Sequence, residues 1–197
     1  TLPDGRVYNC EVVDISISGA GITVDVGLME HEARELNIGF VSRMTRGTPW
    51  VRMKIAASLD GRTALANGES QWITSPPARN WALELREEHD AILVGSGTVL
   101  ADDPRLTRRL GRAPGPIRRV VLDRRLRTPP SARLFQEPGE ILVYTAMSAE
   151  GDKVQELQAA GAQVVLLARP EPAEVLADLG VAGVDQRAQV VEHVHHD

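Results

Sequence analysis

Apolar residues along this chain recur with two periods, and the alternation between those periods lays out an architecture. Val51, Met53 and Ile55 alternate with Arg52 and Lys54, the two-residue period of a strand with one polar face. Residues 21–27 (GITVDVG) alternate in the same way. Short apolar runs at 90–94 (DAILV), 119–122, 141–144 and 163–167 read as further strands. Between them the period lengthens. Ser75 stands as a helix N-cap with Pro76 at the first helical position, opening a helix to about residue 88 in which Trp81 and Leu85 share a face. Residues 153–160 form an amphipathic helix closed by Gly161, and 171–179 a last helix. Residues 30–36 read as a short helix, and 37–48 as a connector punctuated by Gly39 and Gly47. Ser58-Leu59-Asp60-Gly61 reads as a turn, with glycine supplying backbone angles other residues avoid. After Gly180 the sequence VAGVDQRAQVVEHVHHD carries no clear strand, turn or cap signal and reads as an irregular tail. Strands alternating with helices imply an α/β layer architecture around a largely parallel sheet.

Composition narrows the functional classes. The 197 residues suit one domain, or one domain plus part of another, and 43% hydrophobic with 25% charged residues is ordinary for a folded globular chain. A formal net charge of -5 lacks the basic footprint of a nucleic-acid binder. Arginines are nonetheless dense between Arg105 and Arg127, either as a solvated face or as receivers of phosphate, whose geometry a guanidinium matches. The single cysteine, Cys10, allows no disulfide within the chain, which fits a reducing cytoplasm. No apolar stretch approaches the roughly 20 residues that span a bilayer. The chain opens on Thr1 and is expected to be a piece of a longer protein.

Two stretches carry candidate chemistry. In residues 54–74 (KIAASLDGRTALANGESQWIT), Lys54 is either a solvating lysine on an edge strand or a cation at the carboxyl end of a strand, where open α/β sheets hold ligands. Trp72, flanked by Ser70, Gln71 and Thr74, is either core or a flat face for a heteroaromatic ring. In residues 95–109 (GSGTVLADDPRLTRR), two glycines follow a buried strand, as a tight turn or as a place where a ligand approaches the backbone. Asp102 and Asp103 either cap the next element or take ribose hydroxyls. Arg86 and Arg109 are solvated arginines or partners for a phosphate.

Four strings in order, LNIGFVSRM (36–44), KIAASLDGRTALANGESQWIT (54–74), DAILVGSGTVLADDPRLT (90–107) and RRVVLDRRLRTP (118–129), closely resemble the reductase domain of the bifunctional riboflavin-biosynthesis deaminase/reductase. The resemblance implies a dihydrofolate-reductase-like α/β fold, a mixed and mostly parallel sheet flanked by helices and incomplete at its C-terminal end. It implies NADPH-dependent reduction of 5-amino-6-(5-phosphoribosylamino)uracil to a ribitylamino product, with a tendency to associate into homo-oligomers. Carried over by position, Ala56, Trp72, Thr98 and Asp102 face the cofactor. Ser70, Arg86, Leu106 and Arg109 face the substrate, and Lys54 lies near the sugar carbon that accepts hydride. Arg124 departs from the family, which often has a small hydroxyl residue there.

The zinc deaminase signature H-x-E with P-C-x-x-C does not occur, so no catalytic zinc and no deaminase activity are expected. The implied organisation is a deaminase remnant and linker over 1–42, the reductase over 43–180 and a tail over 181–197. The family's later strand, ending in a substrate-touching glutamate before a glycine loop, is expected to be missing. His193, His195 and His196 read as an exposed tail. A catalytically inactive remnant that binds nucleotide weakly, or only associates with other chains, is the competing expectation.

Overall fold

The computed structural model describes residues 11–16, 19–23, 38–70, 72–112, 115–149, 151–181 and 187–191. Two short strands, β1 (Glu11–Ser16) and β2 (Gly19–Thr23), pair antiparallel with each other. The main body is a six-stranded sheet built from β3 (Trp50–Lys54), β4 (Ala91–Gly95), β5 (Arg118–Leu122), β6 (Ile141–Ala146), β7 (Gln163–Leu167) and β8 (Arg187–Val191). Its order is β3-β8-β4-β5-β6-β7, and all five pairings are parallel. The helices are α1 (Ile38–Arg46), α2 (Pro76–Glu87), α3 (Ser96–Asp102), α4 (Gly151–Ala159) and α5 (Pro172–Val181).

The central strands read as unbroken apolar runs because both faces of the sheet are covered. Ile92, Val94, Val121 and Val143 pack on one face with Val99 of α3, Leu134 and Leu157 of α4. Ala91, Leu93, Val120, Leu142 and Tyr144 pack on the other with Val175 and Leu179 of α5. Successive residues of one strand thus feed two separate cores. Arg119 interrupts β5 as a buried cation, its guanidinium donating to the carbonyls of Leu134, Glu137, Pro138 and Gly139 at 2.6–2.9 Å.

Several expectations are corrected. Residues 37–48 are not a plain connector, because Ile38–Arg46 is a helix. Gly39 sits buried inside that helix, whereas Gly47, at φ +70°, does end it by donating to the Arg43 carbonyl. The helix docks through Arg43 Nε on the Gly180 carbonyl, 3.1 Å away. Backbones meet so closely there that a Cβ on Gly180 falls 2.1 Å from the Gly47 carbonyl oxygen. Ser75 is the N-cap residue of α2 and a proline follows it, but the serine side chain makes no capping hydrogen bond. Trp81 and Leu85 part company: Leu85 is buried, while Trp81 stands in solvent because α2 packs through its C-terminal half.

The largest correction concerns residues after Gly180. Arg187–Val191 is a strand, and it lies between β3 and β4 rather than in an irregular tail. Its short run, RAQVV, is weak alone. It is held by pairing on both sides, with Met53 and Leu93 both opposite Val190. The helix expected at 30–36, Cys10 and the three C-terminal histidines lie outside the described residues.

Candidate active site at the carboxyl edge of the sheet

Register fixes which residues share the carboxyl edge. Lys54 ends β3 opposite Val191, and Leu93 lies opposite Val190, so Val94 and Gly95 come level with the end of β3. Gly95 in turn faces Leu122 across the β4–β5 ladder. With strands about 4.8 Å apart, Lys54 and the Gly95 corner stand roughly 10 Å apart with the end of β8 between them.

The polar face of β3 turns inward and the apolar one outward. Met53 and Ile55 are exposed, while Arg52 and Lys54 are half-buried. Arg52 is drawn in by Glu88, 3.2 Å away at the end of α2, and lies over the Trp50 ring. Lys54 faces Arg86 of α2: burial first, then the Arg86 charge, pull its ammonium below the usual 10.5. Arg86 itself is brought down to about 10 by burial and by the charge of Arg109, against a smaller opposing effect of Glu87. Lys54, Arg86 and Arg109 therefore form one neighbourhood of like charge.

The C-terminal turn of α2 fixes that neighbourhood. Arg86 donates from Nη1 to the Thr107 carbonyl at 3.1 Å, and its Nε is buried with no hydrogen-bond partner among the described residues. Next to it Glu87, 8% exposed, accepts the backbone N–H groups of Arg109, Leu110 and Arg112 at 3.0–3.1 Å. An acidic residue before a polar loop carries no periodic signal, and Glu87 was not among the sequence candidates. The exposed Arg109 guanidinium and the Lys54 ammonium make no hydrogen bond or ion pair among the described residues.

The other candidates fall in three places. Ala56 and Ser70 are half-buried on the stretch after β3. That stretch begins with the expected turn, where Gly61, at φ +78°, donates to the Ser58 carbonyl. Trp72 is 69% exposed, which removes the core reading, and the Arg79 guanidinium lies 4.3 Å from its ring centre. Thr98 is buried and Asp102 half-buried on α3. Asp103 ends that helix at φ 40° and accepts the backbone N–H of Arg133. The Leu106 side chain belongs to the core beside Ile117 and Val121, so what it offers a ligand is its backbone, held at φ 53°. No hydrogen bond, ion pair or ring contact joins Trp72 or Thr98 to Lys54, Arg86 or Arg109 among the described residues.

A cleft of about 370 Å³ opens at the carboxyl ends of β4 and β5. Gly95, Ser96 and Gly97 form one wall; Arg124, Arg125 and Arg127 form the other, with Pro170 beyond β7. Arg127 bridges the walls by donating to Ser96 Oγ at 3.0 Å. No helix among the described residues is long and apolar enough to cross a membrane.

Comparison with known proteins places this arrangement. The "RibD C-terminal domain" family matches residues 49–186. The riboflavin biosynthesis protein RibD of Escherichia coli K12 is 49% identical over 134 residues, covering 61% of this chain and 36% of the relative. The solved Acinetobacter baumannii RibD superposes with a TM-score of 0.72 at 34% identity, covering 85% of this chain and 46% of that one. A Thermotoga maritima structure, described as a diaminohydroxyphosphoribosylaminopyrimidine deaminase/5-amino-6-(5-phosphoribosylamino)uracil reductase, does so with a TM-score of 0.69 at 30% identity, covering 83% and 45%. The chain thus spans less than half the length of these relatives. Its fold is the dihydrofolate-reductase-like α/β fold of the RibD reductase structures. This chain belongs to the RibD C-terminal domain family, the reductase domain of riboflavin biosynthesis.

Proposed function

We propose that this chain reduces 5-amino-6-(5-phosphoribosylamino)uracil to its ribitylamino product, with NADPH as the reductant, and that residues 43–180, together with the β8 strand that lies between β3 and β4, form the core of that reductase. The observation that carries the reading is the convergence of Lys54, Arg86 and Arg109. Like charges gathered in this way oppose folding, and two of the three lack a protein partner among the described residues. A phosphate dianion relieves that repulsion, and a guanidinium meets it with paired charge-assisted hydrogen bonds. Arg109 is proposed as the leading donor for the substrate phosphate, with the guanidinium charge of Arg86 behind it. The Leu106 backbone and Ser70 flank it.

The donor set also suits a nicotinamide dinucleotide. A cleft lined by three arginines and a serine hydroxyl, on the same sheet edge as Lys54, offers cations to its phosphates. Ala56, Trp72, Thr98 and Asp102 are proposed to complete that site. When bound, the nicotinamide supplies the hydride, and the protein contributes position and electrostatics. Reduction at the sugar carbon opens the ring, and the released oxygen needs a proton. Lys54 is proposed to hold that proton on Nζ. Burial and Arg86 lower its affinity for the proton, which favours transfer.

The test is a mixture of purified chain, NADPH and the phosphoribosylaminouracil, followed by the absorbance of reduced nicotinamide. A fall that requires the pyrimidine is expected. Nucleotide binding without turnover would identify an inactive remnant instead. Arg109→Ala is expected to raise the apparent KM for the pyrimidine about tenfold or more, the scale of a lost charged hydrogen bond, with far less effect on NADPH. Equal losses for both ligands would overturn the placement.

A further inference from the structure

We propose that a cleft at the opposite, amino-terminal edge of the sheet is a second ligand site, taking a small organic anion: a flat apolar ring that carries one phosphate or carboxylate. Its occupant bears on the loop that aims Arg109, and that consequence alone rests on the function proposed above. The cleft, of about 370 Å³, has the size of a small-molecule site. Ile117, directly before β5, and Pro138, shortly before β6, line it. It therefore opens at the end of the sheet away from Lys54 and from the cleft beyond β4 and β5. Its rim is preformed, since a Cβ on Gly139 falls 2.7 Å from the Pro116 Cβ. Leu106, Pro116, Ile117 and Pro138 give it apolar walls.

Charge selects the ligand. Two arginines, Arg108 and Arg119, and one carboxylate, Glu137, line the cleft. Glu137 is already ion-paired with Arg105. Arg119 is 1% exposed, and its Nη atoms donate to carbonyls, which carry no net charge. Its Nε is buried with no hydrogen-bond partner among the described residues. Arg108 donates to the carbonyls of Gly115 and His89, at 3.0 and 2.6 Å. The lining thus carries a positive excess beside apolar walls, and an anionic group on a flat ring meets both, by a guanidinium fork and by burial. The stretch 106–112 is the partition between this cleft and the Arg86 cluster. On its far side the Thr107 carbonyl accepts from Arg86, and the N–H groups of Arg109, Leu110 and Arg112 donate to Glu87. Arg108 tethers the same stretch to the His89 carbonyl. An anion that draws that fork away slackens the partition and weakens the hold of Arg109 on a phosphorylated pyrimidine. By linkage, the pyrimidine weakens the anion to the same extent.

The experiment measures binding, not turnover. The purified, isotope-labelled chain is titrated with phenyl phosphate and with benzoate, and with phenol as the uncharged control, while backbone amide shifts are followed. Both anions, and not phenol, are expected to shift the amides of Arg108, Ile117 and Arg119 to saturation. Arg108→Gln is expected to weaken that binding about tenfold. Because this change also removes a tether, a second variant works in the other direction: Glu137→Gln takes the negative charge out of the wall and is expected to tighten binding about threefold. Arg109→Ala, on the far side of the partition, is expected to leave it within about twofold. Saturating phenyl phosphate is expected to weaken calorimetric binding of the phosphoribosylaminouracil about fivefold, an effect absent in Arg108→Gln. No saturable shift at these amides overturns the site. So does binding lost in Arg109→Ala and kept in Arg108→Gln, since the anion then occupies the place proposed for the substrate phosphate. Weaker binding to Glu137→Gln overturns the charge argument. Unchanged affinity for the pyrimidine, with the shifts intact, overturns the coupling alone. A chain that does not bind the pyrimidine overturns the proposed function, while the amide shifts still decide whether the cleft is a site.

Discussion

At the scale of single residues, this sheet spends stability on cations. Lys54 is the clearest case. Its ammonium is held below 10.5 in the folded chain by burial and by Arg86, and it regains the ordinary value on unfolding. Between those two values the unfolded chain binds more protons, so native stability rises with pH there. Below the folded value both states carry the proton, and the native state bears the full cost of the buried charge. Lys54→Met is therefore expected to melt higher than the parent at neutral pH. The advantage should shrink as pH climbs toward the ordinary lysine range, while substrate-dependent NADPH oxidation is lost. A variant that melts lower at pH 7 would show that Lys54 is structurally supported rather than strained. Arg119 is the opposite kind of cation. Burial lowers its proton affinity too, but its guanidinium satisfies four backbone carbonyls of the 134–139 segment. Arg119→Met leaves those carbonyls without their donor and is expected to cost about 3–5 kcal/mol, read from the urea midpoint. A cost under about 1 kcal/mol would mean that water replaces the guanidinium freely.

At the scale of elements, what the sequence revealed and what it hid divide along one line, local pattern against distant contact. β7 falls on the expected 163–167, and β4, β5 and β6 each within a residue or two of expectation. Their runs of valine, leucine and isoleucine need no partner to be recognised. The C-terminal turn of α2 is different. That Glu87 gathers three backbone N–H groups from a loop 22–25 residues away is written in no period. Yet this turn aims Arg109. Glu87 is a positioning residue, and Glu87→Ala is expected to speed amide exchange at Leu110 and Arg112. The same change should raise the apparent KM for the pyrimidine about tenfold, the scale of a charged contact moved out of place, with NADPH affinity little altered. Glu87→Gln, which keeps one acceptor oxygen, should fall between. Unchanged exchange with a raised KM would instead assign Glu87 a direct electrostatic effect on the phosphate.

At the scale of the whole molecule, β8 is the strand that joins the two halves of the carboxyl edge into one sheet. The strands β4-β5-β6-β7 share two well-filled cores, one on each face. β3, which carries Lys54, reaches them only through β8 in the order of the sheet. Sequence could not show this, because RAQVV acquires its conformation from two ladders formed with residues about a hundred or more positions earlier. The consequence is testable at a single backbone position. Val190 stands opposite Met53 on one side and Leu93 on the other. Proline there removes an N–H from the ladder and fits poorly in a central strand. Val190→Pro is expected to strip exchange protection from the amides of β3 while those of β5 and β6, inside the two cores, keep theirs. Lys54 would then be released from Arg86, and binding of the phosphorylated pyrimidine should weaken more than binding of adenosine 5′-diphosphate, whose proposed place is the arginine-lined cleft beyond β5. Protection lost evenly across all six strands would mean that the sheet unfolds as one unit, and that the two ends of the site cannot be separated by cutting between them.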